Sequence, residues 1–182
     1  MAQGAVSVRP ETSADVVGIA QLHRAVFSGP VEAELVDALR KEGALVASLI
    51  ALGNEEVAGH VAFSDAGRIA WLGPVGVLPR YQRQGIGSAL IQAGIWSCKS
   101  CALDGVVVLG DPSFYGRFGF SVDAAQGFES RFAGSHLMAL PLGAKAFHGP
   151  LPEPMRLLFA CMSAPAARST CRYASLQAHS GI

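Results

Sequence analysis

The chain has 182 residues, of which 51% are hydrophobic and 15% charged, so it can bury a sizeable core and is not disordered throughout. Lysine plus arginine and aspartate plus glutamate number 14 each, and this balance gives no general attraction to nucleic acid or to an anionic membrane surface. The first residues lack a signal-peptide pattern, and the longest apolar run is shorter than the roughly 20 residues that span a bilayer. We therefore expect a cytoplasmic protein with one main domain and without a membrane or nucleic-acid partner.

In the first half of the chain, patterns typical of strands and helices alternate. The predicted elements are, in order, a strand at 5–10, helices at 11–27 and 31–43, strands at 44–52 and 56–64 joined by a hairpin, and an extended segment at 68–79. Gly73-Pro74 interrupts this last segment, and such an interruption favours a bulge or a local splaying of the strand.

In the second half, a glycine-containing loop leads into a helix that begins near Ile86 and keeps apolar residues at three- and four-residue spacing. The elements predicted after it are a buried central strand at 104–110, a short helix capped by Asp111, and two last strands at 118–122 and 135–142. Hairpins mixed with helices predict a layered α/β (α+β) fold with a mixed sheet.

The regular pattern ends near residue 146. Residues 1–146 therefore form the predicted domain, and residues 147–182 form an irregular C-terminal tail. This tail packs either on the domain or on a partner subunit, so a homodimer is one of the assemblies that the sequence leaves open.

Cys98 and Cys101 form a Cys-x-x-Cys pair, which is found in zinc sites and in redox motifs. A zinc site needs a second well-spaced ligand pair, whereas Cys161 and Cys171 are too widely spaced to provide one. A redox pair normally opens a helix, and this pair closes one. Reduced structural cysteines are the favoured interpretation, and no bound metal is expected; a small metal or interaction domain built on the cysteines is the alternative.

The loop at Gly85-Ile86-Gly87 can be compared with three kinds of phosphate site. A dinucleotide fingerprint needs a third glycine where this chain has Leu90, and a P-loop needs a lysine that is missing here. The third kind is an anion site in which backbone N–H groups converge at a helix N-terminus, with Gln82, Arg83 and Ser88 as additional donors. An ordinary solvated turn stays open beside it.

Two motifs carry a family resemblance. Gln82-Arg83-Gln84-Gly85-Ile86-Gly87, after a V-x-V strand and a proline, resembles the acetyl-CoA-binding signature of the GCN5-related N-acetyltransferase (GNAT) family. Further along, 115–120 resembles the Tyr-x-x-x-Gly-Phe motif of that family, and 106–120 is similar to a bacterial subgroup of predicted acetyltransferases, the YhbS-like group. The two motifs together, in this order, are more specific than either motif alone. The resemblance covers roughly residues 5–142.

The resemblance implies a mixed sheet of about six to seven strands that splays at its centre and is flanked by helices. It implies acetyl-CoA as co-substrate, with the pantetheine arm along one strand and the pyrophosphate on the N–H groups from Arg83 to Ser88. The implied acetyl-CoA-binding residues are Val75, Gly76, Val77, Gln82, Arg83, Gln84, Gly85, Ile86, Gly87 and Ser88. The N–H of Val75 would also polarise the thioester carbonyl.

The resemblance further implies transfer of an acetyl group to a primary amine by direct attack in a ternary complex, with Tyr115 as the general acid. The general base is open among His60, Glu32, Glu34 and a water chain, while Asp111 suits a helix cap better than a base. The acceptor, a small molecule or a peptide amine, is not identified. A non-catalytic acyl-CoA sensor on the same fold is the alternative function.

Overall fold

The computed structural model describes residues 6–144 and 146–151. The strands in it are β1 (Ser7–Pro10), β2 (Leu45–Gly53), β3 (Glu56–Ala66), β4 (Ile69–Val77), β5 (Gly105–Leu109), β6 (Phe128–Glu129), β7 (Leu137–Pro141) and β8 (Gly149–Pro150). The α-helices are α1 (Val16–Phe27), α2 (Val31–Lys41), α3 (Ile86–Ser100), α4 (Pro112–Tyr115) and α5 (Val122–Ala125). In this part of the chain, none of the helices has the length and apolar character needed to span a bilayer.

Six strands form one mixed sheet in the order β1-β2-β3-β4-β5-β7, and β6 pairs with β8 in a small separate sheet. Neighbours in the main sheet are antiparallel except β4 and β5, which are parallel and are connected through α3. This is the crossover that parallel neighbours require. The expected layered α/β fold with a mixed sheet is confirmed.

The two faces of the sheet are covered by different helices. Ile50 of β2 packs with Ile19 of α1 and Val36 of α2, whereas its neighbours Leu49 and Ala51 belong to the larger core that α3 covers. Successive side chains of a strand point to opposite faces, so β2 is buried on both sides. The sheet is therefore a middle layer, with α1 and α2 on one face and α3 on the other.

The strand expected at 118–122 is wrong. Gly119 adopts a left-handed φ of 91° and closes a helical turn, and Ser121 makes only a single bridge to Ala139 of β7. The Ser121 hydroxyl accepts a hydrogen bond from the N–H of Ala124 at 3.1 Å and caps α5. Cap chemistry at Ser121 thus replaces strand pairing in a segment whose apolar residues resemble a strand.

The chain after residue 146 packs on the domain as far as it is described. The ring of Phe147 stacks on that of Phe128 with centroids 4.9 Å apart, and Leu151 is buried in the same cluster. Residues 152–182 of the predicted tail, which include Cys161 and Cys171, lie outside the described residues. The boundary at residue 146 therefore stays a prediction.

Close packing between α3 and β3 requires a glycine. A Cβ atom at Gly94 of α3 would overlap three atoms of the Phe63 ring, and Phe63 is fully buried in β3. Because the ring is enclosed on all sides, it cannot move away without disturbing its neighbours.

We therefore expect Gly94→Ala to lower the free energy of unfolding by about 1–3 kcal/mol, the usual cost of overpacking. The loss should appear although alanine favours a helix over glycine by roughly 1 kcal/mol. Urea denaturation followed by circular dichroism measures it. Gly116→Ala is the matched control, because a Cβ atom there meets nothing within 4 Å and the backbone is helical. Equal stability of the two variants would contradict the packing argument.

Candidate active site

β4 loses its partner β5 partway along its length. The two strands pair from Ile69 with Gly105 to Leu72 with Val108, and no pair follows. β4 continues beside β3, where Leu72 faces Phe63 but Val75 faces Val61, so β4 holds one extra residue at Gly73-Pro74. A bulge of this kind bends a strand and increases its twist. The edge of β4 that faced β5 is therefore open at residues 75–77, as the interruption predicted.

Hydrogen-bond alternation shows which backbone groups face that open edge. The N–H of Leu78 donates to the carbonyl of Ala58 at 2.9 Å, toward β3. Backbone N–H groups alternate between the two edges of a strand, so those of Val75 and Val77 point away from β3. The carbonyl of Val77 points the same way, since it accepts a hydrogen bond from outside the sheet, from the Gln82 amide at 3.0 Å.

The loop after β4 ends at the N-terminus of α3. Gly85 caps the helix with a φ of 81°, and the carbonyl of Gly85 accepts the first helical hydrogen bond, from Ala89 at 2.9 Å. The N–H groups of residues 86–88 consequently have no acceptor inside the helix. Gly85 borders open space, so a ligand can approach the backbone there.

Side chains of the loop brace its shape. The Gln82 amide bonds to β4, and the Gln84 amide donates to the carbonyl of Arg80 at 3.1 Å. Arg83 is exposed, and its left-handed φ of 59° turns the backbone between Gln82 and Gln84. The loop thus links the open edge of β4 to the free N–H groups of α3, and the structure brings these two groups of predicted residues together.

Tyr115 lies at the end of α4, which directly follows β5. Asp111 caps this helix by accepting a hydrogen bond from the N–H of Ser113 at 2.8 Å, so the predicted cap is confirmed. The Tyr115 side chain is 1% exposed, belongs to the same core as Val75 and Val77, and meets the Phe114 and Phe120 rings edge-on. Burial raises the pKa of the Tyr115 phenol well above its usual value, so the phenol stays protonated at neutral pH.

The base candidates differ sharply in their surroundings. His60 is completely buried, and both of its ring nitrogens have hydrogen-bond partners, His23 and Ser48. Glu32 is 6% exposed, and burial raises the pKa of its carboxyl, whereas Glu34 is exposed on the same helix. His60 consequently has no free ring nitrogen for a substrate.

A buried chain of polar groups runs between α1 and the sheet. His23 Nε2 lies 2.8 Å from His60 Nδ1, and His60 Nε2 lies 2.8 Å from Ser48 Oγ. The Ser48 hydroxyl donates to Glu11, whose carboxylate accepts two hydrogen bonds from Arg40 at 2.6 and 3.0 Å. His23 lies in the helix predicted at 11–27, where the sequence analysis did not single it out as a functional residue. Two histidines at inward positions of elements that pack together were the available signal.

The buried hydrogen-bond chain is neutral at its histidine end and charged at its Glu11 end. Burial lowers the pKa of His23 and of His60, so both imidazoles are neutral at pH 7. Burial alone would raise the pKa of Glu11, but hydrogen bonds from Arg40 and Ser48 and the nearby His60 ring, whose Nε2 lies 3.7 Å from Oε2 of Glu11, hold it well below its usual range. Glu11 is therefore a carboxylate paired with Arg40.

The Cys-x-x-Cys pair lies away from these groups, at the end of α3. Cys98 is buried, Cys101 is exposed, and both are free thiols. Burial raises the pKa of Cys98 to about 12, which leaves it protonated and unreactive. Among the described residues, no three histidine, cysteine, aspartate or glutamate side chains are grouped as they would be around a metal ion.

Comparison with known proteins identifies the family. The model of the "Acetyltransferase (GNAT) family" matches residues 16–120. The chain is 36% identical over 135 residues to the uncharacterized N-acetyltransferase YhbS of Escherichia coli K12, which covers 70% of this chain and 81% of that protein. The uncharacterized N-acetyltransferase YjhQ of the same organism is 30% identical over 116 residues, 58% of this chain and 64% of that protein.

Solved structures agree with this assignment. The crystal structure of YhbS from Escherichia coli in complex with CoA superposes with a TM-score of 0.73 at 31% identity, covering 82% of this chain and 89% of that one. A GNAT family acetyltransferase from Brucella melitensis in complex with acetyl-CoA gives a TM-score of 0.72 at 32% identity, covering 85% and 98%. The chain therefore belongs to the GNAT family and is an N-acetyltransferase.

Proposed function

We propose that the protein moves an acetyl group from acetyl-CoA to a primary amine by direct attack in a ternary complex. The observation that carries this proposal is the open edge of β4, which leads through the braced loop to the free N–H groups of α3. The family relationship supports the same reaction. The acceptor amine belongs to a small molecule or a peptide, and the cytoplasmic location is a prediction from the sequence.

The backbone suits two parts of acetyl-CoA, the pantetheine arm and the pyrophosphate. An extended pantetheine arm would bond to the open edge of residues 75–77 as an added strand does. The pyrophosphate would accept hydrogen bonds from the N–H groups of residues 86–88, where the helix dipole favours negative charge. Related structures hold CoA or acetyl-CoA, which supports this assignment.

The reaction needs a donor for the carbonyl oxygen and an acid for the leaving thiolate. In the proposed mechanism the N–H of Val75 donates to the thioester oxygen, on which negative charge grows as the amine attacks. The Tyr115 phenol gives its proton to the sulfur as the carbon–sulfur bond breaks, and it takes up a proton from solvent before the next turnover. Because burial keeps that phenol protonated, it can act as an acid over the whole neutral range.

Arg83→Glu tests the pyrophosphate site. We expect CoA to bind at least roughly tenfold more weakly, because a charge-assisted donor is replaced by a charge that repels phosphate. Isothermal titration with CoA measures this. Arg24→Glu is the matched control, since Arg24 is exposed on α1 and the net charge changes equally. Equal losses in both variants would place the pyrophosphate elsewhere.

Tyr115→Phe tests the general acid and separates an enzyme from a sensor. We expect CoA affinity to stay unchanged while kcat falls by about 10²–10⁴, the usual contribution of a general acid. The assay follows thiol release from acetyl-CoA with an arylalkylamine, a polyamine and a lysine peptide as acceptors. Unchanged turnover at every pH would exclude Tyr115 as the acid. Tight acetyl-CoA binding by the wild type without transfer to any amine would support the sensor instead.

A further inference from the structure

His23 presents one ring nitrogen to the open segment of β4. A Cβ atom built on Gly76 would lie 3.4 Å from His23 Nδ1, beside Leu22 Cδ2 at 2.9 Å. His23 is completely buried, and its Nδ1 has no hydrogen-bond partner among the described residues. A buried polar atom without a partner is costly, so its persistence at this position calls for a functional explanation. Gly76 supplies the close approach, because any larger residue there would cover the nitrogen.

The hydrogen-bond chain determines which nitrogen of each histidine carries the proton. Glu11 is ionised and can only accept, so Ser48 must use its single hydroxyl proton to donate to Glu11. Ser48 Oγ can then only accept from His60, which places the His60 proton on Nε2. His60 Nδ1 is consequently an acceptor, and the bond between the histidines requires the His23 proton to lie on Nε2.

This tautomer leaves His23 Nδ1 with a free lone pair on the ring edge, formed by Nδ1 and Cε1, that lies next to Gly76. The His23 ring is held in place by stacking on Phe27, with centroids 5.6 Å apart and planes at 19°. An imidazole whose second nitrogen is oriented by a hydrogen-bonded partner is the usual arrangement of a general base in proteins. His23 differs in this respect from the base candidates His60, Glu32 and Glu34. In the described part of the chain, Nδ1 of His23 is the buried ring nitrogen that has no hydrogen-bond partner, and it lies next to the open segment of β4.

We propose that His23 is the catalytic residue that accepts the proton of the attacking amine, and that His60, Ser48 and Glu11 are positioning residues that orient its ring. The proposal rests on the function proposed above. The nitrogen–hydrogen bond of the amine breaks as a bond forms at His23 Nδ1. The ring becomes an imidazolium that keeps its Nε2 proton hydrogen-bonded to His60 Nδ1, and the ionised Glu11 at the far end of the chain favours this charge through Ser48 and His60. When the products leave, His23 gives up the Nδ1 proton to solvent and regains its starting tautomer.

The outer end of the chain is open to solvent. Glu11, Arg40 and Ser48 line an open groove of about 410 Å³ beside β2. The ionised pair of Glu11 with Arg40 therefore lies at the solvent end of the hydrogen-bond chain, and the unpartnered nitrogen of His23 lies at the other end.

The groups that face His23 set the sign of the pH dependence. His60 on β3 is the titratable neighbour, Arg40 on α2 is the nearby charge, and β4 carries no titratable side chain. Burial, His60 and Arg40 all lower the pKa of His23. A group with a lowered pKa stays unprotonated into mildly acidic solution, so the base is available at and below pH 7 and is lost as the pH falls further.

The first test needs no acceptor amine. Long-range ¹H–¹⁵N spectra of protein labelled with ¹⁵N-histidine report the tautomer of each ring, and His23→Gln and His60→Gln variants assign the signals. We expect neutral rings protonated at Nε2 for both residues, with an unprotonated Nδ1 on His23. A proton on His23 Nδ1 would overturn the proposal. In Ser48→Ala the His60 ring should no longer be confined to one tautomer, and an unchanged spectrum there would contradict the chain.

The second test is kinetic and uses the most active amine of the panel. We expect His23→Gln to keep its affinity for CoA and to lose about 10²–10⁴ in kcat at pH 7. Its rate should rise about tenfold per pH unit up to the pKa of the amine, because only the free amine then reacts, whereas the wild-type rate stays nearly flat. The control is His148→Gln, because His148 is exposed and lies outside the buried hydrogen-bond chain. This variant should behave as the wild type.

The outcomes separate the two proposals. If the wild type acetylates no amine in the panel, the function proposed above fails, and the inference about His23 fails with it whatever the spectra show. If the wild type is active and His23→Gln keeps both turnover and a flat pH profile, only the role of His23 is wrong. Ser48→Ala provides a second kinetic variant in case His23→Gln does not fold. It should lower kcat by less than the His23 variant, and full activity would exclude a positioning role for Ser48.

Discussion

The separation of β4 from β5 is the constraint on which the rest of the molecule depends. One extra residue in β4 at Gly73-Pro74 changes its register against β3, and pairing with β5 stops at Leu72. A strand that keeps one neighbour and loses the other exposes backbone groups inside a sheet, where they would normally be paired. The loop and the N-terminus of α3 begin where this open edge ends, so a single extended ligand can contact both.

Tight packing on the two faces keeps the open edge in place. On one face, Gly94 lets α3 lie directly against the ring of Phe63, and Ile86 and Leu90 pack close to Gly59 of β3. On the other face, Leu22 and His23 of α1 come close to Gly76. Glycines at these contacts allow backbone and side chains to approach closely, so the free backbone groups lie on rigid elements. Rigid donors are what catalysis by charge stabilisation needs.

The buried polar chain is the costly part of this design. Two neutral histidines and a hydroxyl occupy space between α1, α2 and the sheet that apolar side chains could fill. Their hydrogen bonds satisfy all but one nitrogen, and the pair of Glu11 with Arg40 ends the chain at the groove. A fully connected network orients its members, whereas a gap in it is expensive. The one unsatisfied nitrogen lies where the reaction is proposed to occur.

Sequence alone was enough for the order of most elements, the interruption of β4, the cap of α4 and the family, because periodicity, turn residues and short motifs are local signals. The strand expected at 118–122 failed, since Ser121 caps a helix there and residue type could not choose between cap and strand. Tertiary structure alone decided that His23, His60, Ser48 and Glu11 form one chain. These residues come from α1, β3, β2 and the segment after β1, and only the packing of those elements brings them within hydrogen-bond distance. No local pattern records such contacts, because their geometry depends on how whole helices and strands pack.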